Sequence, residues 1–408
     1  MYLLKMAARN IRKNFRRSLF TILAMGLGFA SICIFSGYIH NVYTGLSEQA
    51  VHGEGLGHLT LVKKGYFENS SLDAKKYLLT KDELARIGPI LSADSGVTLW
   101  TPRLAVEGLI SNGRNSMIFM GEGIVPEQED ILRAQYRPDR GGMLDPAKPT
   151  AIVVSSDLAR LLGLKTGANT VVFTTTFDGE ANALDADIGS IYNTGIAATN
   201  DKTILIPLAF TRRLLDTDGA DRLRILLRNI EDTDEARTRL ATKLSRIGIP
   251  IELRTWKQLS TFYVQVKDLF DMIFIFIFSI VAVIVVMSIT NTMSMTVIER
   301  TREIGTLRAL GMKRRQTVVL FSLEAMVLAA AGCAAGCAVT LAVCGVVSLL
   351  GITYVPPNTS DHVPLLVDFV FGWVVVVFFS LLLLAAGAAY IPSAGASRTR
   401  IVDALGHV

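Results

Sequence analysis

The sequence has few charged residues and few cysteines. Only 19% of its 408 residues are Asp, Glu, Lys or Arg, and 50% are hydrophobic, whereas about a quarter is charged in typical soluble domains. This composition excludes a wholly soluble globule and a disordered chain. All four cysteines lie within long apolar stretches, where we interpret them as small packing residues. The charged part of the chain contains no cysteine, so it must be stable without disulfides.

The sequence also lacks the motifs of common enzymes. The charged middle of the chain contains two histidines, His52 and His58. It has no Ser-His-Asp spacing, no H-E-x-x-H and no cluster of metal ligands. A G-x-x-x-x-G-K-[ST] phosphate loop is absent, so ATP hydrolysis by that route is excluded. We therefore predict a non-catalytic chain with no catalytic, cofactor-binding or metal-binding residues.

Charge is concentrated in one block of the sequence. Residues 44–266 hold 26 of the 41 basic residues and 28 of the 36 acidic residues. The difference, 26 − 28, gives this block a net charge of −2, so the positive excess of the chain lies outside it. This distribution argues against a nucleic-acid-binding body.

Four stretches without Asp, Glu, Lys or Arg exceed the roughly 20 residues that cross a bilayer. They cover residues 18–47, 272–298, 325–360 and 369–397. Within them we predict transmembrane helices near 19–43, 268–296, 318–350 and 366–391. The first stretch is too long for the apolar region of a signal peptide, about 7–15 residues. We interpret it as an uncleaved anchor.

The charges of the connecting segments predict an orientation. Residues 1–17 carry six basic and no acidic groups, and residues 299–315 carry six basic and two acidic groups. Residues 352–365 contain no Lys or Arg. Because basic loops stay in the cytoplasm, we predict that both termini and the 299–315 loop are cytoplasmic. The 44–266 block is then extracytoplasmic.

The predicted fold class is an α-helical membrane protein with four transmembrane helices and a large α+β extracytoplasmic domain between helices 1 and 2. We divide the chain into a basic N-terminus with helix 1 (1–43), the external domain (44–266), helices 2–4 (267–392) and a cytoplasmic tail (393–408).

Short strand signals separated by turns fill the external domain. We predict two lobes, one strand-rich and centred on 150–210, the other built from segments near 57–110 and 220–260. Residues 223–254 predict a strand, a helix and a second strand. The acidic run Glu127–Asp130 is interpreted as a solvated turn. Asp185 and Asp187 are interpreted as part of a surface loop, with a hydrated cation as the alternative.

The segment from Val297 to Gln316 predicts a short amphipathic helix under the membrane. Ile304, Leu307 and Leu310 recur every three residues and form a narrow apolar stripe, and Gly311 is a plausible helix stop. The alternative is an inert, solvated basic loop. Residues 297–315 are therefore a candidate coupling helix.

The run E-R-T-R-E-I-G-T-L-R-A-L-G-M, which begins at Glu299, resembles the coupling segment of the FtsX/MacB/LolC-LolE family of type VII ABC transporter permeases. Leu323-Glu324-Ala325 with Gly332 and Gly336 resembles the third helix of that family. The tail from Ile391 to Leu405 and the segment Gly57-His58-Leu59-Thr60-Leu61 also agree. The layout is most similar to LolC/LolE-like members.

The resemblance implies mechanotransmission, in which separate ATPases move the helices and reshape the external domains. ATP and Mg would be bound by two copies of a partner ABC ATPase, and this chain would hold no cofactor. A second permease protomer, identical or paralogous, would complete the assembly. The residues that the resemblance places at the ATPase contact are Glu299, Arg300, Arg302, Glu303, Ile304, Gly305, Leu307, Arg308, Ala309, Leu310, Gly311 and Met312.

Three residues of the third helix are singled out, two glycines for packing and one acid for an ion pair. Gly332 and Gly336 form a small-x3-small pair that permits close helix contact, either within the chain or between protomers. Glu324 is expected at the cytoplasmic headgroup level, paired with a basic group such as Arg315, because an acid inside the membrane is costly unless it is paired.

The leading functional prediction is a permease subunit that extracts or exports a hydrophobic cargo, with lipoprotein release preferred. Alternatives are an FtsX-like transmitter that activates a cell-wall hydrolase, a MacB-like subunit of a tripartite efflux pump, and a membrane enzyme or sensor without an ATPase. The resemblance implies the bacterial inner membrane and a periplasmic chaperone or adaptor as a further partner. No nucleic acid is expected.

Overall fold

The structure is a computed structural model that describes residues 15–133, 144–196, 198–355 and 363–398. It divides into two compact units. The membrane unit comprises the described residues up to Thr44, Val266–Tyr354, and those from Pro364 onward. The external unit comprises Gly45–Gln265 and the described residues among 355–363. The basic segment before Phe15 and the tail beyond Arg398 lie outside the described residues.

The first helix is longer than its apolar core. Helix α1 spans Phe15–Glu48 and continues into a π-helical turn, Gln49–Gly53, whose residues from Ala50 to Gly53 are buried. The predicted range, 19–43, stopped where apolar residues stop. The flanking polar residues remain helical, so the last part of α1 belongs to the external unit.

Within its described residues, the external unit contains nine strands in one sheet. They are β1 Leu59–Lys63, β2 Val97–Ser111, β3 Ser116–Ile124, β4 Ala151–Ser155, β5 Asn169–Thr175, β6 Ala181–Tyr192, β7 Thr203–Pro207, β8 Arg222–Leu227 and β9 Ile251–Thr255. Their order is β3-β7-β4-β6-β5-β2-β8-β1-β9, and β2 also pairs with β3. This extra pairing closes β2, β3, β7, β4, β6 and β5 into a six-stranded ring, which we call the barrel lobe.

Seven α-helices accompany these strands in the part of the unit that the structure describes. They are α2 Tyr66–Asn69, α3 Lys81–Ser92, α4 Pro126–Leu132, α5 Ser156–Leu162, α6 Leu208–Leu215, α7 Thr233–Leu244 and α8 Trp256–Leu259. A capping box between Thr80 and Glu83 begins α3, satisfying backbone N–H groups that a helix start leaves free.

The barrel lobe is filled by inward-facing residues of alternating strands. Its core includes Val106, Ile110, Phe119, Ile152 and Ile204. Side chains of successive strand residues point to opposite faces, so the neighbours of Ile110 and Phe119 along their strands face outward.

The sheet lobe is the second layer of the external unit and consists of the first half of β2 with β8, β1 and β9. Strand β1 lies between β8 and β9 and is antiparallel to both. Its core joins Leu59 and Leu61 to Ile87 of α3 and Leu240 of α7. Strand β2 runs through both lobes, because its first residues pair with β8 and its last with β3 and β5.

The remaining helices belong mainly to the membrane unit. They are α9 Thr261–Glu299, α10 Thr301–Ala309, α11 Arg314–Leu350 and α12 Phe371–Arg398. Short strands β10 Thr353–Tyr354 and β11 Val363–Pro364 pair between α11 and α12. Within the described residues, four helices are long and apolar enough to cross a membrane: α1 with its π turn, α9, α11 and α12. The predicted fold class is confirmed.

Candidate functional site

The turn between α9 and α11 forms a short separate helix. Helix α9 ends at Glu299, and Arg300 leaves helical geometry with φ −113° before α10 begins. Helix α10 ends at Ala309, and Gly311 follows with φ +102°, a conformation that a residue with a Cβ rarely adopts. The Lys313 N–H then donates to Gln316 Oε1 at 2.8 Å, which starts α11.

The residues of the apolar stripe of α10 differ in burial. Ile304 is 7% exposed and packs into the core of the membrane unit, and Gly305 is also buried. Leu307 is half-buried, whereas Leu310 is 81% exposed. Ile304 therefore anchors α10 to its own chain, and Leu310 is the apolar residue of the stripe that the described residues leave uncovered.

A charged group fixes the corner between α9 and α10. Arg300 Nε lies 2.7 Å from Glu303 Oε2, and Arg300 Nη1 lies 3.5 Å from Glu324 Oε2 on α11. The side chain of Glu324 is 5% exposed, so this partner offsets part of the cost of burying its charge. The expected pairing of Glu324 with a basic group is found with Arg300, where the sequence suggested Arg315.

Glycines bring α11 into close contact with α1 of the same chain. A Cβ added at Gly332 would lie 2.7 Å from Met25 Cβ and 3.1 Å from the Ile22 carbonyl oxygen. One added at Gly336 would overlap the carbonyl oxygen of Gly26. Gly332 and Gly336 therefore pack against α1 within the chain.

Helix α1 is also joined to α9 along its length. The hydroxyls of Thr21 and Thr292 lie 2.8 Å apart, and Tyr43 donates to Asp271 Oδ1 at 2.9 Å. Hydrogen bonds between side chains join helices in lipid, where burial of apolar surface gives little driving force between helices.

The acidic run Glu127–Asp130 is not a solvated turn, so that prediction is wrong. These residues lie in α4, and Glu129 is 0% exposed. Its carboxylate contacts the guanidinium groups of Arg103 and Arg133. Burial alone would raise the pKa of Glu129, but these two cations outweigh it and hold the pKa below its usual value. Arg103 is 26 residues away in sequence, so no local pattern could reveal this pairing.

The end of α1 is bonded to the end of α4. His52 Nδ1 lies 2.6 Å from the Leu132 carbonyl oxygen, to which it donates. The guanidinium of Arg133 donates to the carbonyl oxygen of Gly53. With the contact of Arg133 to Glu129, these bonds form a buried group that we call the α1–α4 clamp.

His58, in the segment that resembles LolE-like members, has a structural role here. Its Nδ1 accepts a hydrogen bond from the Leu227 N–H at 2.9 Å. Burial, together with the nearby His52, lowers the pKa of His58 to about 4. The ring is therefore neutral at physiological pH and serves as an acceptor at the edge of β8.

No metal centre is found within the described ranges, where no three His, Cys, Asp or Glu side chains are placed to hold an ion. Asp185 and Asp187 lie on β6, not on a loop, and line an open cavity of about 460 Å³. Asp187 accepts a hydrogen bond from Thr150 Oγ1. All four cysteines are free thiols.

The fold defines a multi-pass membrane protein with an external domain between its first and second spans. The sequence matches the FtsX-like permease C-terminal family over residues 274–399 and the MacB-like periplasmic core domain family over residues 18–243. The chain belongs to the FtsX/MacB family of ABC transporter permeases.

Individual relatives are distant. The chain is 36% identical over 117 residues to the ABC transporter permease YvrN of Bacillus subtilis, covering 29% of this chain and 26% of that relative. The chain thus spans about a quarter of the length of that relative.

Two solved structures are similar to part of the chain. The periplasmic region of MacB from Actinobacillus actinomycetemcomitans aligns with 11% identity and a TM-score of 0.37, over 50% of this chain and 92% of that one. The extracellular domain of YknZ from Gram-positive bacteria aligns with 12% identity and a TM-score of 0.35, over 48% and 99%.

Proposed function

We propose that the chain is the non-catalytic membrane subunit of an ABC transporter and that α10 docks on a separate ATPase. The uncovered Leu310 carries this proposal. It stands at the end of a helix that Ile304 and Arg300 hold in place. An exposed apolar side chain at the end of a fixed helix that also exposes Arg302 suits an apolar groove with an acidic rim.

The charges of the loops predict on which side of the membrane this contact lies. The 299–315 segment is basic and the 352–365 segment has no Lys or Arg, so α10 and both termini face the cytoplasm of a bacterial inner membrane. ATP and Mg then bind to two copies of the partner ATPase. A second permease protomer, identical or paralogous, completes a symmetric assembly.

The cargo we propose is hydrophobic and is handled at the outer face of the membrane. Lipoprotein release is supported by the LolE-like opening of the external domain at Gly57-His58. A periplasmic chaperone would then receive the cargo. The match of residues 18–243 to the MacB-like core domain favours, as the second candidate, efflux with a periplasmic adaptor.

Replacing Leu310 with Asp tests the docking. We expect the variant to fold normally. The stimulation of ATPase activity by the permease in the co-purified complex should fall by about tenfold or more, because a charge replaces the apolar contact. The matched control is Leu72→Asp, which alters an equally exposed leucine (85%) of the external unit and should leave coupling intact. A Leu310→Asp complex with unchanged coupling would refute the docking surface.

A further inference from the structure

One face of the sheet lobe carries a row of buried polar side chains. Thr101 and Arg103 of β2 are two residues apart, so their side chains share a face, and Arg224 of β8 pairs directly with Thr101. Thr101 and Arg103 are fully buried, and Arg224 is 5% exposed. The neighbours of Arg224 along β8, Leu223 and Ile225, belong to the core beneath α3 and α7. The polar row therefore lies on the opposite face, where it meets α4 and β3.

Several polar atoms of this row make no hydrogen bond. Arg103 donates through Nη2 to Glu129, and Arg224 donates through Nη1 to Thr60 Oγ1 at 2.6 Å. Within the part of the chain that the structure describes, no partner is found for Nε and Nη1 of Arg103, for Nε of Arg224 or for the Thr101 hydroxyl. A buried donor without an acceptor costs free energy, and guanidinium nitrogens can only donate. A ligand that fits this row must therefore accept hydrogen bonds.

Glu122 lies beside both arginines but is too far away to satisfy these donors. One of its carboxylate oxygens is 3.7 Å from Arg103 Nη1, and the other is 3.7 Å from Arg224 Nη2. Both distances exceed those of hydrogen bonds in proteins. One carboxylate thus stands next to two guanidinium groups without bonding to either.

The arginines of this region outnumber the carboxylates beside them. Glu129 is shared by Arg103 and Arg133, and Glu122 is shared by Arg103 and Arg224. Three cations therefore share two anions, which leaves an excess of one positive charge in a buried place. Such a charge is costly unless a counter-ion compensates it.

The nearby charged groups do not remove this excess. Burial raises the pKa of Glu54 above its usual value, which shifts this residue towards its neutral form. Arg222 has its own partner, Asp221, at 2.6 Å. Burial, together with the nearby Arg222 and Arg103, lowers the pKa of Arg224 to about 10, so this guanidinium is still charged at neutral pH.

We propose that Thr101, Arg103 and Arg224 bind a small inorganic anion, such as chloride, inside the external unit. The anion accepts the unsatisfied N–H groups and balances the third arginine. Hydrogen bonds from a guanidinium to an anion are stronger than those to a neutral acceptor, which favours an anion over water. The site joins β2 to β8 just before β2 passes to its barrel partners, and it does not depend on the transport role proposed above.

Anion binding is tested by thermal unfolding of the full chain in detergent. At constant ionic strength, exchange of gluconate for chloride should raise the melting temperature to a plateau, because a ligand that binds the folded state stabilises it. Gluconate is the reference anion because it is too large for enclosed donors. The absence of a saturable dependence on chloride would overturn the proposal.

Two variants should shift the chloride response in opposite directions. Thr101→Val keeps the shape of the side chain, and the half-saturating chloride concentration should rise about fivefold with the loss of one hydrogen bond. Glu122→Gln removes a negative charge beside the same arginines, so this concentration should fall, because the anion is no longer repelled.

The matched control is Thr211→Val. Thr211 is a fully buried threonine of the same unit whose hydroxyl donates to the Pro207 carbonyl oxygen. This variant should respond to chloride as the unaltered chain does. A response of Thr101→Val or Glu122→Gln equal to that of the control would overturn the site.

A crystal of the full chain grown with bromide in place of chloride locates the anion. We expect an anomalous peak beside the guanidinium groups of Arg103 and Arg224. If the variants do not fold, this map of the unaltered chain still decides the question. Density without an anomalous signal would show that ordered water accepts these hydrogen bonds, and it would overturn the proposal.

Discussion

The membrane unit and the external unit differ in the kinds of groups that they bury. The membrane unit places glycines against backbone, as Gly332 and Gly336 do against α1, and pairs hydroxyls such as those of Thr21 and Thr292. The external unit buries complete ion pairs, with Glu129 fully enclosed between two arginines. Helices in lipid gain little from apolar burial and associate through shape and hydrogen bonds. The core of the external unit contains charged side chains that are removed from water, so the protein must supply their partners.

The comparison predicts that the fit of side chains between helices governs the stability of the membrane unit. The pairing and protonation of buried polar groups should govern the stability of the external unit. A bulky residue at a helix contact should destabilise the membrane unit at any pH. Acidification should destabilise the external unit in a range where the membrane unit is unaffected.

The largest effect is expected for Gly336→Leu. The added side chain would overlap the Gly26 backbone, which has no rotamer by which to yield, so we expect a loss of about 3 kcal/mol, the upper end for overpacking. Thermal unfolding in detergent measures it. Gly345→Leu is the matched control on the same helix, because an added Cβ there has no neighbour within 4 Å. Equal melting temperatures for the two variants would show that the α1–α11 contact is not tight.

A smaller effect is expected from pH. The folded-state pKa of His58 is about 4, below its usual value of 6.5, so the neutral ring stabilises the fold above pH 6.5 and this contribution is lost as pH falls towards 4. Between pH 7.5 and 5 the loss should be about 2 kcal/mol.

Chemical denaturation of the full chain at the two pH values measures this loss. His58→Asn should be less stable at pH 7.5 but should lose less on acidification, whereas His40→Asn, at an exposed histidine, should retain the full pH dependence. An identical pH response of His58→Asn and the unaltered chain would refute the assignment.

Local signals in the sequence were enough for elements whose ends are set locally. The strand, helix and second strand predicted within residues 223–254 lie at Arg222–Leu227, Thr233–Leu244 and Ile251–Thr255, and Gly248 ends the helical segment in a left-handed conformation. Helix α9 begins earlier than its predicted start at residue 268, since polar residues from Thr261 onward continue the helix.

Features that depend on distant partners could not be predicted. The burial of Glu129 needs Arg103, and the pairing of Glu324 needs the bend at Arg300. The passage of β2 through both lobes follows from pairing with strands far apart in sequence. In the apolar stripe of α10, Ile304 is buried and Leu310 is exposed, and this difference depends on the tertiary position of the helix.

The sidedness of α10 tests the central claim most directly. Single cysteines at Leu310 and Leu72, in a chain whose native cysteines are replaced, would be treated in intact cells with a membrane-impermeant maleimide. The account predicts that the cysteine at position 72 reacts in intact cells and that the one at position 310 reacts only after the membrane is opened. Labelling of position 310 from outside would contradict a cytoplasmic ATPase contact.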